Sequence, residues 1–190
     1  MIVGMAGYKR VGKDTAAEVL VTDFGFDRYA LADPLKQAVS ALFGFAPEEI
    51  NGEAKDLAHL FWNITPRQAL QVVGTELIRN ELRKHFPHIT NLHIERMKQE
   101  ARLHDDLVIT DVRFPDEVEA VQDLGGIVIR IHRPGYEASA HPSETLIDTA
   151  PVDYEVINDA SKIDLQDRIV AIVSGAMTDI GTESALVYPR

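Results

Sequence analysis

The chain has 190 residues, 45% of them hydrophobic, which favours one domain with a sizeable core. Its 19 lysines and arginines stand against 30 aspartates and glutamates, and the formal net charge of -11 argues against duplex DNA or an anionic membrane as the main partner. The chain has no cysteine, which excludes disulfides, thiolate zinc sites and cysteine nucleophiles.

The apolar runs of the chain bear on its location. None of them approaches the roughly 20 residues that are needed to cross a bilayer. The first run, residues 2–6, follows the N-terminus directly and leaves no room for a signal peptide. We therefore expect a cytoplasmic protein that binds neither nucleic acid nor a membrane.

A glycine-rich segment follows this first run and precedes a helical pattern. Gly7, Gly12 and Lys13 have the spacing of a phosphate-binding loop between a buried strand and a helix. Glycines let the backbone wrap closely round an anion, and the helix N-terminus adds a partial positive charge. Lys9 and Arg10 add further charge, so a small anionic ligand suits this segment despite the negative net charge.

The residue after the lysine departs from the usual pattern. Asp14 stands where Ser or Thr is usual, and Thr15 follows one position later. A carboxylate close to a triphosphate is repelled unless a cation lies between them, so Asp14 is a candidate magnesium-side acid. Two alternatives stay open: Asp14 only caps the helix, or Thr15 supplies the hydroxyl that contacts the metal.

The next elements are a helix, a strand and a second helix. The first helix should run to about Asp23, with Gly25 behind it, and residues 26–31 read as a strand. We expect Asp33 to cap the second helix, with Pro34 as its first residue. Ligand binding is an equally open use of Asp33.

Residues 45–64 are less regular. Residues 47–50 predict a short helical turn. The aromatic pair Phe61 and Trp62 could line a base pocket, but an anchor in the core is the favoured interpretation.

Thr65 and Pro66 begin the clearest helix in the chain, as cap and first residue. Apolar residues that should face inward recur at helical spacing: Leu70, Val73, Leu77 and Ile78. Polar residues recur about every four positions on another part of the surface: Arg67, Gln71, Thr75 and Arg79. This stripe suits an anionic ligand with a polar body, because arginine is the usual choice for bidentate phosphate contacts. A solvated helix face is the alternative.

A second apolar run ends in an acid. After a helical candidate at residues 91–103, residues 107–110 read as a buried strand of a parallel sheet, and Asp111 follows them. The carboxyl ends of such strands are where ligands bind in open α/β sheets. Asp111 is therefore a candidate to hold or orient a magnesium ion, with Arg113 two residues further on.

The last part of the chain predicts a helix from residue 115, strands at residues 127–131 and 154–157, and a helix at residues 163–173. The polar stretch at residues 133–150 is long for a compact domain and is typical of a lid. His132 and His141 have no third ligand at a suggestive spacing, so a metal site there is not expected.

Strands that alternate with helices behind a phosphate loop predict an α/β three-layer fold with a mostly parallel sheet. We expect a single domain over residues 1–177. It contains a helical insertion at about 45–103 that lies over the loop, and a C-terminal tail follows at 178–190.

Five motifs together resemble the phage deoxynucleoside monophosphate kinases of the T-even type, within the nucleoside monophosphate kinase-like P-loop family. The motifs are Gly12–Thr15, Leu31–Lys36, Thr65–Gln68 with Gln71, Gly74, Thr75 and Arg79, Thr110–Pro115, and His141–Glu144. Their order and spacing cover about residues 1–175. The first motif alone is ambiguous, because animal-type phosphomevalonate kinases look similar there. On this resemblance, Asp14 is a trait of the subfamily.

The resemblance implies transfer of the γ-phosphoryl group of ATP to a deoxynucleoside 5′-monophosphate, with Mg²⁺, in a homodimer. The residues assigned to ATP are Gly7, Lys9, Arg10, Val11, Gly12, Lys13, Asp14 and Thr15. The candidate catalytic cations are Lys13, Arg10, Arg113 and Arg133, the last closing with the lid. The residues assigned to the acceptor are Asp33, Lys36, Arg67, Gln71, Thr75, Arg79 and Glu144. The metal-side residues are Asp14, Thr15 and Asp111.

Two rival functions remain compatible with these residues. One is a P-loop kinase for another small phosphorylated acceptor, such as phosphomevalonate or dephospho-coenzyme A. The other is a non-catalytic switch that binds ATP and shows no acceptor-stimulated release of ADP.

Overall fold

The computed structural model describes residues 1–136 and 146–185, with side chains described to residue 178. The chain divides into two compact units, Met1–Ala30 with Glu100–Arg190, and Leu31–Gln99. The second unit starts ahead of the insertion expected at residues 45–103, and the expectation that this segment covers the phosphate loop stays a prediction. Among the described residues, no helix has the length and apolar character to span a membrane.

The first unit contains a parallel sheet. Within the described residues it has five strands, in the order β2-β3-β1-β4-β5. The strands are β1 (Ile2–Ala6), β2 (Asp27–Tyr29), β3 (Leu107–Val112), β4 (Ile127–His132) and β5 (Tyr154–Ile157). The helices that the structure describes are α1 (Lys13–Phe24), α2 (Asp33–Phe43), α3 (Pro47–Asn51), α4 (Pro66–Gln71), α5 (Leu82–His85), α6 (Leu92–Ala101), α7 (Pro115–Asp123) and α8 (Lys162–Ala185).

Helices cover both faces of the sheet, because its central strand is apolar on both sides. On one side of β1, Met5 belongs to a buried cluster with Leu20 of α1 and Ile169 of α8. On the other side, a Cβ at Gly4 would lie 3.5 Å from Cγ1 of Val121 in α7. The predicted three-layer α/β fold is therefore confirmed.

Asp33 does not cap α2, contrary to the expectation from sequence. The N-cap is Ala32, whose carbonyl accepts from the N–H of Lys36 at 2.9 Å. Asp33 lies in the first turn, where the ammonium of Lys36 approaches its carboxylate to 3.2 Å. The expectation fails because the chain is already helical at Ala32.

The helix predicted from Thr65 forms, but its hydrogen-bond pattern changes along its length. Thr65 caps α4 by accepting from the N–H of Gln68 at 3.0 Å. From Val72 to Glu81 the backbone is a π-helix with wider i→i+5 turns. Such turns are rare overall, and those that occur are often found at functional sites. The wider turns displace later side chains, so Leu77, expected inward, is 51% exposed.

The aromatic pair does not anchor the core, which corrects that interpretation. Phe61 is 79% exposed and Trp62 is 42% exposed. The indole N–H of Trp62 donates to the carbonyl of Phe43 at 2.8 Å, and the two rings pack edge to face at 5.5 Å. A hydrogen-bonded polar edge keeps Trp62 at the surface of the second unit.

The C-terminal helix is longer than the pattern predicted. It begins behind Ser161, whose hydroxyl and N–H donate to Asp164 at 2.5 and 3.0 Å. These bonds hold the pKa of Asp164 below its usual value. The helix then continues to Ala185, beyond the helix predicted at residues 163–173, and the tail predicted at 178–190 stays a prediction.

Arg130 places a buried charge on β4 that sequence analysis did not single out. The residue is 7% exposed. Its guanidinium donates to Glu155 on β5 at 2.7 Å, to the carbonyl of Ile147 at 2.7 Å and to the carbonyl of Ala150. Arg130 thereby ties the 3₁₀ turn Leu146–Thr149 to the sheet.

Arg130→Met should lower the free energy of unfolding by about 3 kcal/mol, because two buried carbonyls and Glu155 lose their donor. Urea unfolding followed by circular dichroism measures the change. The matched control is Arg168→Met, since Arg168 also donates to a carbonyl and an acid, Ile157 and Asp159, but is 43% exposed. Equal losses in the two variants would contradict the special contribution of the buried arginine.

Candidate active site

The glycine-rich loop joins β1 to α1 at the carboxyl end of the central strand. Gly7 and Gly12 have φ of 127° and 108°, a region that side chains disfavour. A Cβ would lie 2.4 Å from the carbonyl oxygen of Ile131 at Gly7, and 2.7 Å from Nδ2 of Asn158 at Gly12. Close approach and backbone conformation therefore both demand glycine at these two positions.

Lys13 is the buried cation of this loop. It is the first residue of α1 and is 8% exposed. Its ammonium donates to the carbonyls of Gly7 at 2.7 Å and Tyr8 at 2.6 Å, so the side chain folds back across the loop. A full positive charge thus lies beside the positive end of a helix dipole, an arrangement that attracts anions.

The rest of the loop is held from outside. Val11 is buried in the core cluster, whereas Arg10 is exposed with φ of 66°. The carbonyl of Val11 accepts from Asn158 Nδ2 at 2.8 Å, and the carbonyl of Arg10 accepts from Arg133 at 3.4 Å. Lys9 is partly buried. The loop therefore takes its shape from residues far along the chain.

Asp14 does not cap α1, because the N-cap is Gly12. The Asp14 side chain is 86% exposed, and its carboxylate lies 3.7 Å from the guanidinium of Arg28. Thr15 is partly buried, and its carbonyl accepts from Gln166 at 3.3 Å. Among the described residues, no three or more His, Asp or Glu side chains converge as a metal site.

Asp111 lies near the end of β3, on the strand beside β1. The register pairs Ala6 with Val112, which puts Asp111 at the carboxyl end of the strands, where the loop begins. The turn that follows is fixed by Glu117, a buried residue whose carboxylate accepts from the N–H groups of Arg113 at 2.8 Å and Phe114 at 3.2 Å. Asp111 thus lies on β3 itself, and Arg113 begins a well-supported turn.

The segment predicted as a lid begins and ends at the loop. The guanidinium of Arg133, which contacts the loop at the carbonyl of Arg10, lies 4.8 Å over the ring of Tyr136. At the other end, the hydroxyl of Tyr8 donates to Asp148. Residues 137–145, which include His141 and Glu144, lie outside the described residues.

The acceptor candidates of the second unit are partly buried. Along the helix from Pro66, this holds for Arg67, Gln71, Thr75 and Arg79, whereas Val72, Glu76 and Asn80 are exposed. Arg67 engages both carboxylate oxygens of Asp56, the second at 3.1 Å. Such a stripe differs from a fully solvated helix face. The planar guanidinium of Arg67 matches two oxygens of a carboxylate or a phosphate.

Comparison with known proteins decides the family. The profile described as deoxynucleotide monophosphate kinase matches residues 1–65 and 48–169. A putative deoxynucleotide monophosphate kinase of Acanthamoeba polyphaga mimivirus is 35% identical over 191 residues, 93% of this chain and 97% of that protein. The chain belongs to the deoxynucleotide monophosphate kinase family.

More distant similarities agree with this membership. The deoxynucleotide monophosphate kinase of Enterobacteria phage T4 is 20% identical over 88% of this chain and 96% of that protein. A shikimate kinase from Aquifex aeolicus has a TM-score of 0.50 at 13% identity, covering 94% of this chain and 99% of that chain. This last likeness concerns the fold alone.

Membership in the deoxynucleotide monophosphate kinase family confirms the function and the resemblance that were predicted from the sequence. The protein is an ATP-dependent kinase that transfers a phosphoryl group to a nucleoside monophosphate. This interpretation is better supported than a kinase for another acceptor or a non-catalytic switch.

Sequence analysis missed four residues that shape this kinase's loop and its surroundings: Tyr8, Glu117, Arg130 and Asn158. Only Asn158 had a usable signal, because it directly follows β5 and polar residues at carboxyl strand ends often serve ligands. Tyr8 bonds the Asp148 side chain, Arg130 bonds Glu155 and two carbonyls, and Glu117 accepts from two backbone N–H groups. None of these contacts leaves a periodic pattern in the sequence.

Proposed function

We propose that the first unit binds ATP, that the second binds a deoxynucleoside 5′-monophosphate, and that the enzyme joins the γ-phosphoryl group to the acceptor phosphate. The donor assignment rests on the burial of the Lys13 ammonium inside the glycine-rich loop. The backbone of this loop has positive φ at Gly7 and Gly12, which requires glycine there. Phosphoryl transfer needs little covalent help, so positive charge and positioning supply most of the catalysis.

On the donor side, Lys13 would leave its two loop carbonyls for the outer phosphate oxygens, and the loop N–H groups would bind the inner ones. Arg10 and Arg133 meet at the edge of the loop, where a guanidinium can balance charge on the transferring group. Arg113 extends from the turn behind Asp111 and serves as a third candidate.

The oxygen atoms beside the loop fit a magnesium ion. Asp111 offers a carboxylate, Thr15 a hydroxyl and Asp14 a second carboxylate, and Mg²⁺ prefers oxygen ligands. Such an ion would neutralise charge that develops on the β- and γ-phosphate oxygens. Asp14 would have to give up its 3.7 Å pairing with Arg28 to bind such an ion.

On the acceptor side, Arg67 and Arg79 are assigned to the acceptor phosphate, and Asp33 and Gln71 to its sugar or base. Lys36 and Thr75 lie beside them in the chain and complete the set, with Glu144 assigned from the resemblance alone. The homodimer and the cytoplasmic location stay predictions.

Release of ADP with each candidate acceptor in turn tests this function. We expect deoxynucleoside monophosphates to stimulate ADP release above the ribonucleotides, and phosphomevalonate and dephospho-coenzyme A to give none. Stimulation by either of the last two alone would overturn the acceptor class. ATP binding with no stimulation by any acceptor would favour the switch.

Arg67→Ala should raise the KM for the monophosphate while leaving the KM for ATP nearly unchanged. Loss of a bidentate contact to phosphate costs about 2 kcal/mol, or roughly 30-fold in KM. The matched control is Arg83→Ala, an exposed arginine further along the same helical segment. Steady-state kinetics with each substrate varied measures both constants. If the KM values for both substrates rise equally, Arg67 is structural or serves the donor.

A further inference from the structure

Asn158 connects the phosphate loop to the last strand of the sheet. Its carboxamide Nδ2 donates to the carbonyl of Val11 at 2.8 Å, and its backbone N–H donates to the carbonyl of His132 at 2.6 Å. One residue therefore joins the loop after β1 to the ends of β4 and β5. The side chain is partly buried, which shields the bond to Val11 from water in part.

The bond to Val11 fixes the direction of a loop N–H. The peptide between Val11 and Gly12 is planar and trans, so its carbonyl and its N–H point in opposite directions. Holding the carbonyl on Asn158 therefore aims the N–H of Gly12 away from Asn158. Backbone N–H groups of such loops are the donors that cradle phosphate.

The absence of a side chain at Gly12 leaves space for the carboxamide of Asn158. A Cβ at Gly12 would lie 2.7 Å from Nδ2 of Asn158 and 3.1 Å from Cδ2 of Leu165. The missing side chain of Gly12 is therefore what allows the carboxamide to reach the neighbouring carbonyl. This close fit explains why an amide, with a donor and no charge, stands at this point.

We propose that Asn158 is a positioning residue of the donor site, which orients the Val11–Gly12 peptide so that the Gly12 N–H meets the phosphates of ATP. This inference rests on the proposed function of the loop. The required chemistry is specific: the side chain must donate to a carbonyl. Aspartate has the same shape but, when ionised, only accepts, and its charge would face the Val11 oxygen.

The test compares Asn158→Asp, Asn158→Ala and Asn158→Ser with the wild-type chain, using calorimetric binding of ATP and steady-state kinetics. Asn158→Ala should weaken ATP binding about tenfold, the loss expected for one hydrogen bond with its orienting effect. Asn158→Asp should weaken it more, and Asn158→Ser less, because serine keeps a donor. The KM for the monophosphate should stay unchanged in all three.

The neighbouring Asp159→Asn is the matched control, because Asp159 pairs with Arg168 and not with the loop. Unchanged ATP affinity in Asn158→Asp would overturn the proposal, as would equal weakening of both substrates in every variant. If Asn158→Ala fails to fold, the order of Asn158→Asp and Asn158→Ser decides. Failure of the proposed function is distinguishable, since wild-type protein would then bind no ATP or accept no monophosphate.

Discussion

Lys13→Ala is expected to remove nearly all phosphoryl transfer while the protein stays folded. In the proposed donor site, the ammonium at the N-terminus of α1 exchanges its two loop carbonyls for oxygens of the transferring group, where charge develops. Loss of one preorganised donor to a transition-state oxygen costs a factor of about 100 to 1,000 in kcat. A fully charged donor should reach or exceed that range.

The measurement is kcat at saturating ATP and monophosphate, beside melting curves of both proteins. Lys13→Met keeps most of the buried stem and removes the ammonium, with its charge and its bonds to the two loop carbonyls, which separates packing of the stem from the effect of the ammonium. Lys162→Ala is the matched control, a half-exposed lysine on α8 that pairs with Glu18 at 2.7 Å. A folded Lys13 variant with kcat near wild type would remove this residue from the donor site.

The local parts of this structure were predictable because short segments determine them. The spacing of Gly7, Gly12 and Lys13 predicts a phosphate-binding loop, and both glycines have the positive φ that the motif requires. Gly25 and Gly44 end α1 and α2 in the left-handed conformation, where glycine avoids steric cost. Buried parallel strands read as apolar runs for an equally local reason.

The remainder depends on partners far along the chain. The carboxamide of Asn158 meets Val11 across 147 positions, and the pairing of Arg130 with Glu155 spans 25. Neither pairing leaves a periodic trace. The π-helical turns that expose Leu77 also lie outside patterns built on a 3.6-residue turn. The acceptor residues and the metal site therefore stay predictions.

Arg133→Ala is expected to lower kcat about 100-fold, or about 2.7 kcal/mol, while the affinity for ATP changes little. Arg133 follows β4, the strand beside β1, and its guanidinium already reaches the carbonyl of Arg10 at the loop. Packing over Tyr136 at 4.8 Å orients that guanidinium without neutralising it. A cation held this way stabilises charge that appears only in the transition state, so its loss affects kcat and not ground-state binding.

Single-turnover rates and equilibrium binding of ATP separate the two effects. Arg133→Lys keeps the charge and loses the planar fork, so it should recover part of the rate. Arg168→Ala is the control, since Arg168 pairs with Asp159 on the same unit and is not assigned to a substrate. Weakened ATP binding with unchanged kcat would show that Arg133 serves the ground state. In that case Arg10 and Arg113 would be the arginines left to meet the transferring group.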